Sequence, residues 1–189
     1  MTFLILGLVA VLGVHAITMF RGLRTGLIAS LGEQPYKLAY SLASLAGFVL
    51  LVYGFGHYRD TAWVQIWTPP AFTKHITITL MWFAFIAFAS MHRKPALIAG
   101  WLRHPMLAGL KIWALAHLLA NGDLGGIVLF GAFRAYAVID RIAVKRRGDL
   151  GSARGTGFTR ADAIALIAGT IAYLAMLMLH PLLIGVAVL

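Results

Sequence analysis

The sequence predicts an all-α fold, a polytopic integral membrane bundle of about six transmembrane helices forming a single domain over residues 1–189. Three observations carry this expectation. The chain is 61% hydrophobic and 12% charged, with a mean hydropathy of +0.87, outside the range of a soluble globular protein. Apolar runs of spanning length recur, bounded by Pro, Gly, Arg or Lys. At on the order of 20 residues per span, the length leaves little room for a soluble domain.

The elements follow in order. The first span, about Thr2 to Phe20, has no basic residue before its apolar run and is read as a retained helix rather than a signal peptide; it ends at Arg21 and Arg24. Gly26 to Gln34 is expected to be a polar turn, and Pro35 opens a second span to about Phe55. Tyr53, Tyr58, Trp63 and Trp67 read as an interfacial aromatic belt. Pro69-Pro70 precedes a third span, about Phe72 to Met91, closed by His92, Arg93 and Lys94. Pro95 to Leu102 reads as a short interfacial turn. The fourth span starts at Pro105 and reaches Asn121-Gly122-Asp123, which joins it tightly to a fifth, about Leu124 to Ala143, as an antiparallel hairpin. Gly148 to Gly157 has no apolar period and is expected to be the most mobile loop. Thr159 or Asp162 caps a sixth span running to about His180, before Pro181; the apolar residues after it either continue the helix or lie at the interface.

Charge gives an orientation. Arg21, Arg24, Lys37, Arg93, Lys94, Arg103, Arg141, the basic triplet 145–147, Arg154 and Arg160 fall on one side of this layout, and only Arg59 and Lys74 on the other. The positive-inside rule puts both termini outside the cytoplasm. The net charge of +10 is thereby a matter of topology, with the lipid bilayer and not nucleic acid as the partner. The absence of cysteine excludes disulfides, thiolate metal ligation and cysteine nucleophiles. There is no Walker loop, dinucleotide fingerprint or Ser-His-Asp arrangement.

Depth sorts the seven histidines. His57, His75 and His180 fall near the outer surface and His92 and His104 near the inner one, leaving His15 and His117 inside spans. Neutral imidazoles are the usual axial ligands of haem iron, so these two are candidate ligands of a b-type haem; the alternative is that each binds a neighbouring helix as interhelical glue. Met19, one turn after His15, is a weaker candidate ligand. Asn121, one turn beyond His117, either orients its imidazole or caps the helix. Lys111 and Arg134 are the cations inside spans; either can meet an anionic group such as a haem propionate, and Lys111 can equally snorkel to the interface. The outer trio His57, His75 and His180, with Asp60 and Asp123, is a weak candidate for a divalent metal site because no ligand spacing supports it. A proton or ion pathway through His117, Asp123 and Arg134 is a further possibility from charge alone, without the broken helices of a transporter core.

These segments carry a family resemblance. Gly13-Val14-His15, Leu31-Gly32-Glu33-Gln34-Pro35-Tyr36-Lys37, Arg103-His104-Pro105-Met106-Leu107, the run from Lys111 through Ala116-His117 to Asn121-Gly122-Asp123-Leu124, Asp140-Arg141-Ile142, the basic triplet 145–147 and His180-Pro181 together resemble the NnrU family of bacterial membrane proteins over nearly the whole chain. The resemblance implies a link to nitrite and nitric oxide metabolism, that is, denitrification. The same domain occurs in zeta-carotene isomerase, which carries haem b and uses it for cis-trans isomerisation; its haem histidines fall on motifs similar to Val14-His15 and Ala116-His117. One departure matters: the isomerase has a cysteine where this chain has Ala114, so a mechanism that uses that thiolate does not transfer unchanged.

Two functions from different classes follow. The first is a haem b membrane protein with His15 and His117 as iron ligands and Lys111 or Arg134 near the propionates, serving redox or nitrogen-oxide chemistry or, as an enzyme, isomerisation. The second is a cofactor-free membrane factor that assembles or stabilises a nitrite or nitric oxide reductase.

Overall fold

Apolar runs in a chain this short of loops fold as helices, because helix alone satisfies every backbone polar group within its own segment. The computed structural model describes residues 1–91 and 95–188; the expected stop of the third span at His92, Arg93 and Lys94 lies outside the described residues. In order come α1 (Thr2–Ala16), a 3-10 turn (Ile17–Met19), α2 (Arg21–Leu31), α3 (Glu33–Thr61), α4 (Ala71–Ala89), α5 (Leu97–Leu102), α6 (Pro105–Ala120), α7 (Leu124–Arg146) and α8 (Arg160–Ile184). Among the described residues there is no extended sheet, only two isolated bridges.

Among the described residues, four helical segments are long and apolar enough to cross a membrane: α1 with its turn (Thr2–Met19), α3, α4 and α8. α6 is apolar but has only 16 residues. Large apolar side chains stay exposed along these helices, as at Leu38, Leu42, Leu45, Phe48 and Val52 of α3, a surface suited to lipid and not to water.

The chain divides into two compact units, Met1–Pro69 with Asn121–Ala143, and Pro70–Ala120 with Val144–Leu189. In the first, α1 packs on α3 along a seam that recurs every three or four residues, Leu4, Gly7, Leu8 and Val11 on α1 against Gly47, Leu51, Gly54 and Tyr58 on α3. Small residues let the backbones touch. A Cβ on Gly7 would stand 2.5 Å from the Leu51 backbone, and one on Gly54 would run into the backbone of Phe3 and Leu4. The pairings run in opposite directions along the two helices, which are therefore antiparallel.

Two expectations fail in this unit. Gly26 to Gln34 is not a polar turn, because α2 is helical to Leu31 and the break comes only at Gly32, with φ 86°. Leu23, Leu27 and Leu31 recur one turn apart and give this segment an apolar face. Tyr58 is not part of the exposed aromatic belt but fully buried. α3 continues to Thr61 because Gly54 and Tyr58 extend its buried stripe. The Tyr58 hydroxyl accepts from Val64 N at 3.1 Å, and its ring lies against Gly125. The Asn121–Asp123 turn belongs to the same unit: Gly122 O accepts from the Ile66 and Trp67 amides at 2.8 and 3.0 Å, and Leu124 N donates to Val64 O at 2.8 Å. Asp123, buried, caps α7 by accepting from Gly126 N at 2.7 Å.

In the second unit α4 packs against α6 and α8, with Gly109 against Phe88 and Gly169 against Ile86. Thr77 Oγ1 donates to Ala116 O and Trp82 Nε1 to Thr170 Oγ1, both at 2.9 Å. The segment expected as an interfacial turn contains the helix α5, whose start depends on a residue far along the chain. The buried Asp162 carboxylate accepts from Leu97 N at 3.1 Å and Ile98 N at 2.8 Å while completing the capping box of α8 with Thr159. The loop expected to be most mobile is strapped onto α5. Gly155 N donates to Ala96 O, Ser152 N donates to Arg103 O at 2.6 Å, and the Arg154 guanidinium lies 5.7 Å above the Trp101 ring centroid. Gly100 permits this, since any Cβ there would meet the Arg154 backbone. α8 also passes through Pro181 and ends at Ile184, closed by Gly185 with φ 77°.

Candidate functional site

The two histidines inside spans are held by the same local device. His15 stands in the last turn of α1 and its Nδ1 lies 2.8 Å from Val11 O, one turn back. His117 stands in the last turn of α6 and its Nδ1 lies 2.9 Å from Trp113 O, again one turn back. A carbonyl oxygen only accepts, so in both rings Nδ1 carries the proton and Nε2 the lone pair. This is the tautomer of an imidazole that binds a metal through Nε2, with its other nitrogen oriented by a backbone carbonyl. Both side chains are half-buried.

His15 belongs to the first unit and His117 to the second, and their surroundings differ. The His15 ring packs on Tyr40, centroids 5.6 Å apart, and Tyr40 on Tyr36 at 6.1 Å. The Thr18 hydroxyl donates to His15 O at 2.7 Å. Met19 lies just past His15, in the 3-10 turn. His117 stacks at a tilt on Trp113, 5.0 Å between centroids. Its helix neighbour Ala114, the position of the isomerase cysteine, is fully buried, and the next carbonyl, Ala116 O, is occupied by Thr77. His180, in the same unit, donates through Nδ1 to Val186 O at 2.7 Å.

The remaining predicted residues take these places. Lys111 lies half-buried on α6, six positions before His117, and Arg134 half-buried near the middle of α7. Asn121 follows the end of α6 and lies against Gly126, the place of a helix-end residue. Asp123 is engaged as the α7 cap. His57 stacks on Tyr53 at 6.0 Å with Phe3 at its edge. Among the described residues no group of three His, Cys, Asp or Glu side chains comes together to hold a metal ion. The tyrosine neighbours of His15 were not singled out by sequence reasoning, although Tyr36 and Tyr40 stand at the one-turn spacing that would have paired them.

The family comparison now has a geometry to attach to. The family model described as NnrU protein matches residues 3–188. The chain belongs to the NnrU family. No curated protein and no solved structure matches it. The NnrU match covers both units, and with them α1 and α6, which carry His15 and His117.

Proposed function

We propose that this NnrU-family chain is a haem b-binding protein of the bacterial cytoplasmic membrane, in which His15 and His117 would hold the iron, working in nitrite and nitric oxide metabolism. The observation that carries the reading is the shared bond: each imidazole donates Nδ1–H to a carbonyl of its own helix, the orientation in which Nε2 is the ring's metal-binding nitrogen. The donor set fits the group, since two neutral imidazoles hold haem b without any covalent attachment motif. Bound haem would supply one-electron and nitrogen-oxide chemistry, with carotenoid isomerisation as its enzymatic variant.

The chain's own residues would bind and shield. Lys111 or Arg134 would offset the propionate charge, and the apolar helices would keep water from the iron. Ala114 offers no thiolate, so an isomerase route that exchanges an imidazole for a cysteine has no counterpart here. About six spans, both termini periplasmic, complete the proposal, α6 and α7 crossing in addition to α1, α3, α4 and α8. Purification from haem-sufficient cells, followed by pyridine haemochrome assay, tests it: the expected result is haem b near one per chain, and a colourless protein overturns the reading.

A second reading is a cofactor-free membrane factor that assembles a nitrite or nitric oxide reductase. It is favoured by the fact that His180 makes the same kind of Nδ1 bond, to Val186 O, so such a bond also serves a histidine with no assigned ligand. Here a reductase subunit co-purifies with the chain, and His15→Ala and His117→Ala leave reductase assembly intact.

A further inference from the structure

The seam between α1 and α3 changes character along its length. From Gly54 to Gly47 it is closed by glycines pressed against the α1 backbone. Beyond Gly47, toward the start of α3, the same stripe continues as Ser44, Tyr40 and Tyr36, each one turn from the next, alongside the His15 end of α1. Tyr40 supplies the ring contact to His15.

Two groups on this stripe lack hydrogen-bond partners. The Tyr36 hydroxyl is buried without one, on a side chain only 7% exposed, and Ser44 Oγ is buried without one two turns further along α3. Elsewhere the hydroxyls of Ser30, Thr61, Thr73, Thr79 and Ser90 each bond a carbonyl three or four residues back in the chain. Ser44 does not, and a phenol cannot reach its own helix's carbonyls. Unmet hydroxyls in an apolar seam are unfavourable and call for an acceptor.

The position narrows the chemistry of the missing acceptor. Tyr36 lies in the first turn of α3 and His15 in the last turn of α1, with the exposed Arg21 and Arg24 at the start of α2 beside them. A group bound here through Nε2 of His15 would have its apolar body among helices and its charged edge toward this cationic end. The only charged edge of a haem is its pair of carboxylates. We infer that the Tyr36 hydroxyl donates a hydrogen bond to a carboxylate of the porphyrin held at His15, Tyr40 being the ring that spaces the phenol from the imidazole. The inference rests on the haem reading of His15 and assigns Tyr36 as a binding residue that is not an iron ligand.

The test is a two-by-two titration of the full-length protein in detergent, wild type and Tyr36→Phe, with haem b and with its dimethyl ester, followed by Soret absorption. The expected result is that Tyr36→Phe keeps the same low-spin spectrum but releases haem b about tenfold more readily, the size of one hydrogen bond to a charged acceptor. The ester binds more weakly to wild type and is indifferent to Tyr36→Phe. The apo variant, relieved of an unmet hydroxyl, unfolds no more easily than wild type, which separates the inference from a packing role. Tyr40→Phe is the second variant, expected to retain the Tyr36 effect. Equal weakening toward haem and ester, or none toward either, overturns the inference while leaving the haem reading in place. A wild type that takes up neither overturns both.

Discussion

Replacing Asp162 by Ala tests how α5 and the loop after α7 are held. The side chain is 1% exposed, and its carboxylate accepts four hydrogen bonds: from Leu97 N at 3.1 Å, Ile98 N at 2.8 Å, Thr159 N at 2.9 Å and Thr159 Oγ1 at 2.7 Å. Loss of the α8 cap costs about 1 kcal/mol. Stranding the two α5 amides costs about 1 to 3 kcal/mol each, and because Leu97 and Ile98 are only half-buried the lower figure applies. The total comes to about 3 kcal/mol. The assay is unfolding of the purified protein by increasing mole fraction of dodecyl sulfate in mixed micelles, followed by far-UV circular dichroism, with trypsin cleavage after Arg154 as a local readout. Asp162→Ala is expected to shift the transition by that amount and to hasten cleavage, because α5 no longer holds Gly155 and Arg154. Asp149→Ala, whose carboxylate is exposed and accepts only from Gly151 N, is expected to change stability by less than about 0.5 kcal/mol. An Asp162→Ala protein as stable and as protease-resistant as wild type would refute the double-cap account.

Two further substitutions probe the first unit. Gly54→Ala drives a methyl into the Phe3 and Leu4 backbone and is expected to cost about 2 kcal/mol in the same unfolding assay, whereas Gly56→Ala, with nothing within 4 Å, should gain up to about 1 kcal/mol from helix propensity; equal effects would contradict the glycine seam. Tyr58→Phe removes the hydroxyl that receives Val64 N and should cost about 1 kcal/mol, with hydrogen exchange of the Val64 amide accelerated more than that of α1.

The long apolar helices were legible because composition and length suffice for them. α5 was not, since six residues carry no readable period and its amides are met by a residue 65 positions away. The sequence leaves open whether the helix continues past Pro181, and α8 runs through it to Ile184: an apolar backbone that leaves the helix exposes polar groups to lipid, which outweighs one missing donor. Tyr58 was placed at the interface from its neighbours Tyr53 and Trp63, but its place on the stripe facing α1 and its contacts with Gly125 and Val64, outside its helix, bury it. His15 and His117 could be picked out by depth, but their tautomers depend on rotamers that place Nδ1 over the carbonyl one turn back. The unmet Tyr36 hydroxyl was hidden in the same way, because absence of a partner is a property of the packed seam.

The central claim is that His15 and His117 ligate haem iron, and optical spectra of the purified protein, oxidised and dithionite-reduced, test it most directly when recorded for wild type, His15→Ala, His117→Ala and His180→Ala. The expected result is a low-spin b-type spectrum in wild type and His180→Ala that is lost in the other two variants. Low-spin haem surviving in His15→Ala or His117→Ala, or a wild type with no Soret band, would contradict the account.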